Sequence, residues 1–174
     1  MPIIRVKPID LIYYADKKVH TFWLHEDVIE GFREGIEHWT GAGGTFHVTE
    51  TLRSIEVQAR LKKQKPALAN KPGWSLHGHG RAVDFSTAAV GAAHLKDFYE
   101  HMQRFGWYTI FNFPGGPVMV KSRESWHIQC TRDPALQTEP GMRAKDYLTK
   151  WAAANGGEKT LLDLQYERLA APVI

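Results

Sequence analysis

The stretch that most constrains this chain is Ser75-Leu76-His77-Gly78-His79-Gly80-Arg81-Ala82-Val83-Asp84. His77 and Asp84 stand seven positions apart, two turns or about 10 Å along a helix, which is too far for a helix to bring them to one ion as it does an i, i+4 pair. A turn followed by a strand brings them together. Gly78 and Gly80 permit such a tight path, because glycine tolerates positive φ and close backbone approach. Alternation along the strand then puts Ala82 and Asp84 on one face, with Val83 and Phe85 on the other. A small residue at position 82 would leave room for a metal beside Asp84. The bland alternative is a surface histidine followed by an aspartate at a strand end.

A second motif follows, Glu124-Ser125-Trp126-His127. His127 begins a strand-like run, and Glu124 lies just before it in a loop. Together the two motifs supply two imidazoles, a metal-binding carboxylate and a spare carboxylate. That is the inventory of a catalytic zinc site: three N/O ligands, an open position for water, and a general base beside it. A glutamate three residues from a ligand can reach the metal's water without binding the metal, take a proton and return it to a leaving amine. The bland reading of this motif is a charged loop beside a core histidine. Cys130 is the only cysteine, which excludes an intramolecular disulfide and a thiolate zinc finger. Any zinc must therefore use histidine and carboxylate. Cys130 itself sits in an alternating run, Trp126 to Thr131, and reads as a structural thiol.

Arg53 follows a strand and starts a helix, where a guanidinium could clamp a carboxylate or stabilise an oxyanion. Gln58 carries a weaker signal. His79, two residues from His77, could face the cleft, help bind substrate, or compete as a ligand. The remaining histidines, His20, His25, His38, His47, His94 and His101, show no convergent spacing.

Hydrophobic periodicity supplies the frame. Ile3–Val6, Val19–Leu24, Phe46–Leu52, Arg81–Phe85, Trp107–Phe113, Val118–Lys121 and Trp126–Thr131 read as strands. Helices are expected over Glu26–Trp39, Ser54–Lys63, residues 88–105, residues 140–154 and residues 158–169. The expected fold is α+β, a small, mainly antiparallel sheet carrying the motifs and flanked by helices. At 174 residues with 43% hydrophobic and 24% charged residues, the chain fits one globular domain. No apolar run approaches the roughly 18 residues of a transmembrane helix. The net charge of +3 and pI of about 9.0 suit any polyanion. The densest basic residues, Arg53, Arg60, Lys62, Lys63, Lys65 and Lys71, read as a solvated helix face. There is no recognised nucleic-acid motif, so nucleic acid is not an expected partner.

The pattern Ser75-x-His77-x-x-Gly80-x-Ala82-x-Asp84, followed by Glu124-x-Trp126-His127, resembles the zinc D-Ala-D-Ala carboxypeptidase family. That family includes VanY and VanX type peptidases and phage L-alanoyl-D-glutamate endopeptidases. Thr51-Leu52-Arg53-Ser54 with Gln58 looks like its upstream arginine motif, and Pro72-Gly73 also fits. The resemblance spans residues 45–131. It implies one catalytic Zn2+ held by His77, Asp84 and His127, with Glu124 as general base. It also implies that Arg53 recognises a substrate carboxylate or polarises the carbonyl. Gln58, Ser75, His79 and Trp126 would lie near bound substrate. The implied fold is the small one shared with the hedgehog signalling domain. Two departures, Thr51-Leu52 before the arginine and His79, leave the metal set intact and bear on substrate preference. Residues 135–174 carry no family signal and are expected to be a helical C-terminal extension.

The resemblance implies a metallopeptidase acting on peptidoglycan stem peptides, as a D-Ala-D-Ala carboxypeptidase or an L-Ala-D-Glu type endopeptidase, and as a monomer. The rival from another class is a zinc-containing binding module without catalysis. Residues Met1 to Pro8 lack the apolar core of a signal peptide. The corresponding expectation is synthesis in the cytoplasm and access to the cell wall by phage-type release or specialised secretion.

Overall fold

A computed structural model describes residues 2–67, 69–112, 114–118, 120 and 124–170. The chain begins with an antiparallel hairpin, β1 (Ile3–Ile12) and β2 (Val19–His25), followed by helix α1 (Ile29–Gly41). Strand β3 (Val48–Glu50), helix α2 (Ile55–Gln64) and a 3-10 turn at Leu76–His79 lead into strand β4 (Ala82–Phe85). Helices α3 (Thr87–Val90) and α4 (Leu95–Gln103), strand β5 (His127–Gln129), helix α5 (Ala144–Ala154) and strand β6 (Gln165–Arg168) complete it. Among the described residues the strands form two three-stranded sheets, ordered β2-β1-β6 and β3-β4-β5. The fold is α+β, and the second sheet is antiparallel throughout.

Each sheet serves two apolar clusters because side chains alternate across a strand. In β1, Ile4 and Val6 are buried in one cluster and Ile9 and Leu11 in the other. In β4, Val83 and Phe85 join the larger cluster with Phe32 of α1 and Phe98 and Met102 of α4. Ala82 points the other way, into the smaller cluster with Leu76 and with Tyr147, Leu148 and Trp151 of α5. Ala82 is fully buried against that cluster. Cys130 is buried in the larger cluster, and burial pushes its thiol up to about 11, which fits a structural thiol.

Four expected elements differ. The helix over residues 88–105 is broken into α3, a 3-10 turn at Ala92–His94 and α4, because Gly91 sits at φ 96° and ends the first piece. The strand over Trp107–Phe113 shrinks to one bridge between Tyr108 and Gln129, with turns at residues 110–111; Phe113 lies outside the described residues. The helix over 158–169 is a 3-10 turn at Glu158–Leu161 and then β6, which pairs parallel to the free edge of β1. The strand expected at Val118–Lys121 falls partly on residues outside the description, and Val118 and Val120 lie in no strand.

Candidate metal centre and cleft

The centre is set by the register of the antiparallel sheet. Glu50 of β3 pairs with Asp84 of β4, and Asp84 pairs with His127 of β5, so the three stand in a row across the sheet. A slip of one residue would send Asp84 to the opposite face. His77 reaches the row from the 3-10 turn preceding β4. Ser75 caps that turn, its Oγ accepting from the His77 backbone N–H at 3.3 Å. Gly80 ends it in the left-handed region at φ 64°. A Cβ there would lie 2.7 Å from the backbone nitrogen of His25. Gly80 is thus demanded by the turn. Gly78 is not, because a Cβ there would find its nearest heavy atom at 3.6 Å.

His77 Nε2 lies 3.1 Å and His127 Nδ1 2.9 Å from the same oxygen, Asp84 Oδ1. The two rings meet edge to face with centroids 5.1 Å apart. On its far side His77 donates Nδ1–H to the Thr51 carbonyl at 2.6 Å. His127 Nε2 lies 2.9 Å from Gln129 Oε1. One ligand atom from each of His77, Asp84 and His127 falls within 4.8 Å of the others. The donor set fits zinc: two imidazoles and a carboxylate converge, and each ring is held from behind by an oxygen acceptor. Burial works to raise the Asp84 pKa, but the charges and hydrogen bonds of His77 and His127 outweigh it and hold the carboxyl well below the usual carboxylate range. Burial also opposes charge on His127, yet the Asp84 hydrogen bond and charge, with Glu124 behind them, leave its pKa above the ordinary imidazole value.

Glu124 borders the same centre, its Oε2 4.0 Å from His127 Nδ1. Arg53 is there too, but heavily engaged. Nε and Nη2 fork onto Glu50 at 2.9 and 2.5 Å, and Nη1 donates to Gln58 Oε1 at 2.7 Å. Nη2 also stands 3.7 Å from Asp84 Oδ2. Gln58 passes the network on, donating from Nε2 to the Asn70 carbonyl at 2.8 Å. These groups, with Ser75 and Trp126, line one cleft of about 260 Å³. Past Glu124 and Trp126 it adjoins a second hollow of about 490 Å³, which Lys62, Lys71, Ile110 and Phe111 also line.

Of the residues singled out in the sequence, His77, Asp84, His127, Glu124, Arg53, Gln58, Ser75 and Trp126 all border this cleft. His79 does not. It is fully buried, its ring edge-on to Trp151 at 4.7 Å and near Tyr147 at 6.1 Å, and burial followed by the charge of Arg81 pushes its pKa down to about 3. A residue so placed cannot contact substrate, so the expected substrate-binding role of His79 is withdrawn. The sequence reading missed Glu50 and Gln129. Each had one usable signal: Glu50 precedes Arg53 by three residues in the same strand-to-helix passage, and Gln129 shares a strand face with His127.

No family profile matches the chain, and no curated protein matches it in sequence. Solved structures do match. VanYB, solved in complex with D-alanine-D-alanine, superposes with a TM-score of 0.51 and 16% identity, over 89% of this chain and 88% of that one. The LD-carboxypeptidase LdcB, described for its peptidoglycan recognition, superposes with a TM-score of 0.50 and 12% identity, over 91% of this chain and 77% of that one. The chain therefore shares the α+β fold of these two solved structures.

Proposed function

We propose that this protein is a zinc-dependent peptidase, a single domain over residues 1–174, that hydrolyses amide bonds in peptidoglycan stem peptides. The observation that carries the reading is the convergence of His77, Asp84 and His127 on one point, with the Glu124 carboxylate 4.0 Å from the His127 ring. Two solved structures of this fold support the substrate class, one bound to D-alanine-D-alanine and one described for peptidoglycan recognition.

In this reading His77, Asp84 and His127 hold the ion. A bound zinc supplies Lewis acidity and brings the pKa of water down to about 7. Glu124 takes the proton of the attacking water and delivers it to the amine that leaves. Arg53, locked by Glu50 and Gln58, contributes a fixed positive field beside the carbonyl as its oxygen gains charge. The lock alters the expectation for Arg53: three of its nitrogens are already committed, which favours oxyanion stabilisation over clamping a substrate carboxylate. Ser75, Gln58 and Trp126 shape the cleft around the substrate. The hollow beyond Trp126 gives room for substrate on the far side of the scissile bond. No helix among the described residues is long and apolar enough to cross a membrane.

Replacing Glu124 with Ala separates binding from chemistry. The variant should keep zinc at wild-type stoichiometry and lose about 10²–10⁴-fold in rate. Digested peptidoglycan analysed by mass spectrometry reads the rate and shows which bond is cut. Full activity in Glu124→Ala would refute the mechanism.

A further inference from the structure

Resting on the metal reading above, we propose that Gln129 is a positioning residue of the metal centre: its side-chain oxygen accepts the Nε2 proton of His127 and so leaves Nδ1 as the nitrogen that faces the ion.

The two histidines are not held alike. His77 is backed by a main-chain carbonyl, Thr51 O, which can only accept. Its proton is therefore fixed on Nδ1, and Nε2 is left for the centre. His127 is backed by an amide side chain, Gln129, whose oxygen accepts and whose nitrogen donates. With the oxygen toward the ring, Nε2 carries the proton and Nδ1 offers its lone pair. With the amide reversed, the proton moves to Nδ1, between the ring and Asp84 Oδ1 at 2.9 Å, and the ligand is lost. The choice of nitrogen at His127 thus depends on one side chain, and a backing hydrogen bond of this kind governs tautomer, ring orientation and affinity in metal sites.

Gln129 is built to hold that orientation. It is buried, with 6% of its surface exposed. Its backbone is pinned on both sides, by pairing with Ala82 of β4 on one and by two hydrogen bonds with Tyr108 at 2.8 and 2.9 Å on the other. Strand alternation puts its side chain on the His127 face.

The test compares wild type with Gln129→Met and Gln129→Glu. Methionine keeps the bulk and removes the acceptor; glutamate keeps both. Zinc affinity, measured by chelator competition, should fall about 10–100-fold in Gln129→Met and stay at or above wild type in Gln129→Glu. In metal-free protein near pH 6, the Nε2–H of His127 should exchange slowly with solvent by NMR in wild type and Gln129→Glu, and rapidly in Gln129→Met. Equal zinc affinity in wild type and Gln129→Met overturns the proposal. So does a glutamate variant as weak as the methionine one, since side-chain bulk alone would then explain the effect. If wild type binds no zinc, the peptidase reading fails, while the exchange rates still judge the Gln129 contact.

Discussion

Asp84 and His127 are direct partners across strands β4 and β5, and Asp84 Oδ1 lies 2.9 Å from His127 Nδ1. The same oxygen lies 3.1 Å from His77 Nε2, so one carboxylate oxygen organises both imidazoles.

This arrangement predicts how the metal-free protein responds to pH. Asp84 has a folded pKa below its unfolded value of about 3.9, so its contribution is complete above that value and is lost as pH falls through the folded one. His127 has a folded pKa above its unfolded value of about 6.5, so its contribution is complete below that value and is lost as pH rises through the folded one. Both contributions are present together between about pH 4 and 6.5. The melting temperature of chelator-treated protein should peak in that window and decline on both sides. Asp84→Asn should flatten both limbs. Superimposable pH profiles for the two proteins would show that the pair does not couple as described.

Arg53 answers two carboxylates that the sheet register makes neighbours, Glu50 and Asp84. Removing the guanidinium leaves like charges side by side. Arg53→Ala should destabilise the metal-free protein by about 1–3 kcal/mol, allowing for the partial exposure of Glu50. Adding Glu50→Gln to Arg53→Ala should restore part of the loss. Urea denaturation of the four proteins in the cycle measures the coupling, and strictly additive effects would argue against the bridge.

The glycines of the opening motif should behave oppositely. Gly80→Ala puts a Cβ at φ 64° and against the His25 backbone, which costs about 1–2 kcal/mol for the left-handed conformation before any clash. Relief of that clash requires β2 or the His77 turn to move, so zinc affinity should fall along with stability. Gly78→Ala has space and should change neither by more than about 0.5 kcal/mol. A Gly80→Ala variant with wild-type melting temperature and zinc affinity would count against this account of the turn.

The grouping of the candidate site was largely legible because its residues sit in short motifs. His77, Asp84, Glu124 and His127 declare themselves by residue type and local spacing, and the strand after the turn could be inferred from Arg81 to Phe85. What local spacing does not give is direction out of a turn. His79 follows His77 by two positions of a 3-10 turn with about 3 residues per turn, which rotates its ring away from the cleft and into the core beside Trp151. Nor does spacing give cross-strand partners. Glu50 and Gln129 are ordinary residues until register sets one beside Asp84 and directs the other toward the His127 ring. Strand β6 escaped for a related reason: its pairing is with β1, over 150 residues earlier, and no local pattern announces it.

Arg81 is the residue whose loss should cost the fold most. It is fully buried, yet it carries a charge. Nη2 meets Asp27 Oδ2 at 3.1 Å and Asp133 Oδ2 at 3.4 Å, and Nη1 donates to the Arg132 carbonyl. The guanidinium also stands 5.1 Å over the Tyr147 ring, whose hydroxyl donates to Asp133 at 2.8 Å. One side chain beside β4 therefore ties together the start of α1, the segment after β5, and α5. Arg81→Met should destabilise by about 3–5 kcal/mol, because it leaves two carboxylates without their cation. Arg81→Lys should recover only part, since an ammonium is a compact point charge on one nitrogen and cannot span the partners that Nη1 and Nη2 reach separately. Pairing Arg81→Met with Asp133→Asn should recover more than the lysine does, by removing the stranded charge. Urea midpoints rank the variants, and a double variant no more stable than Arg81→Met would show that packing of the side chain, rather than its charge, is what the core requires.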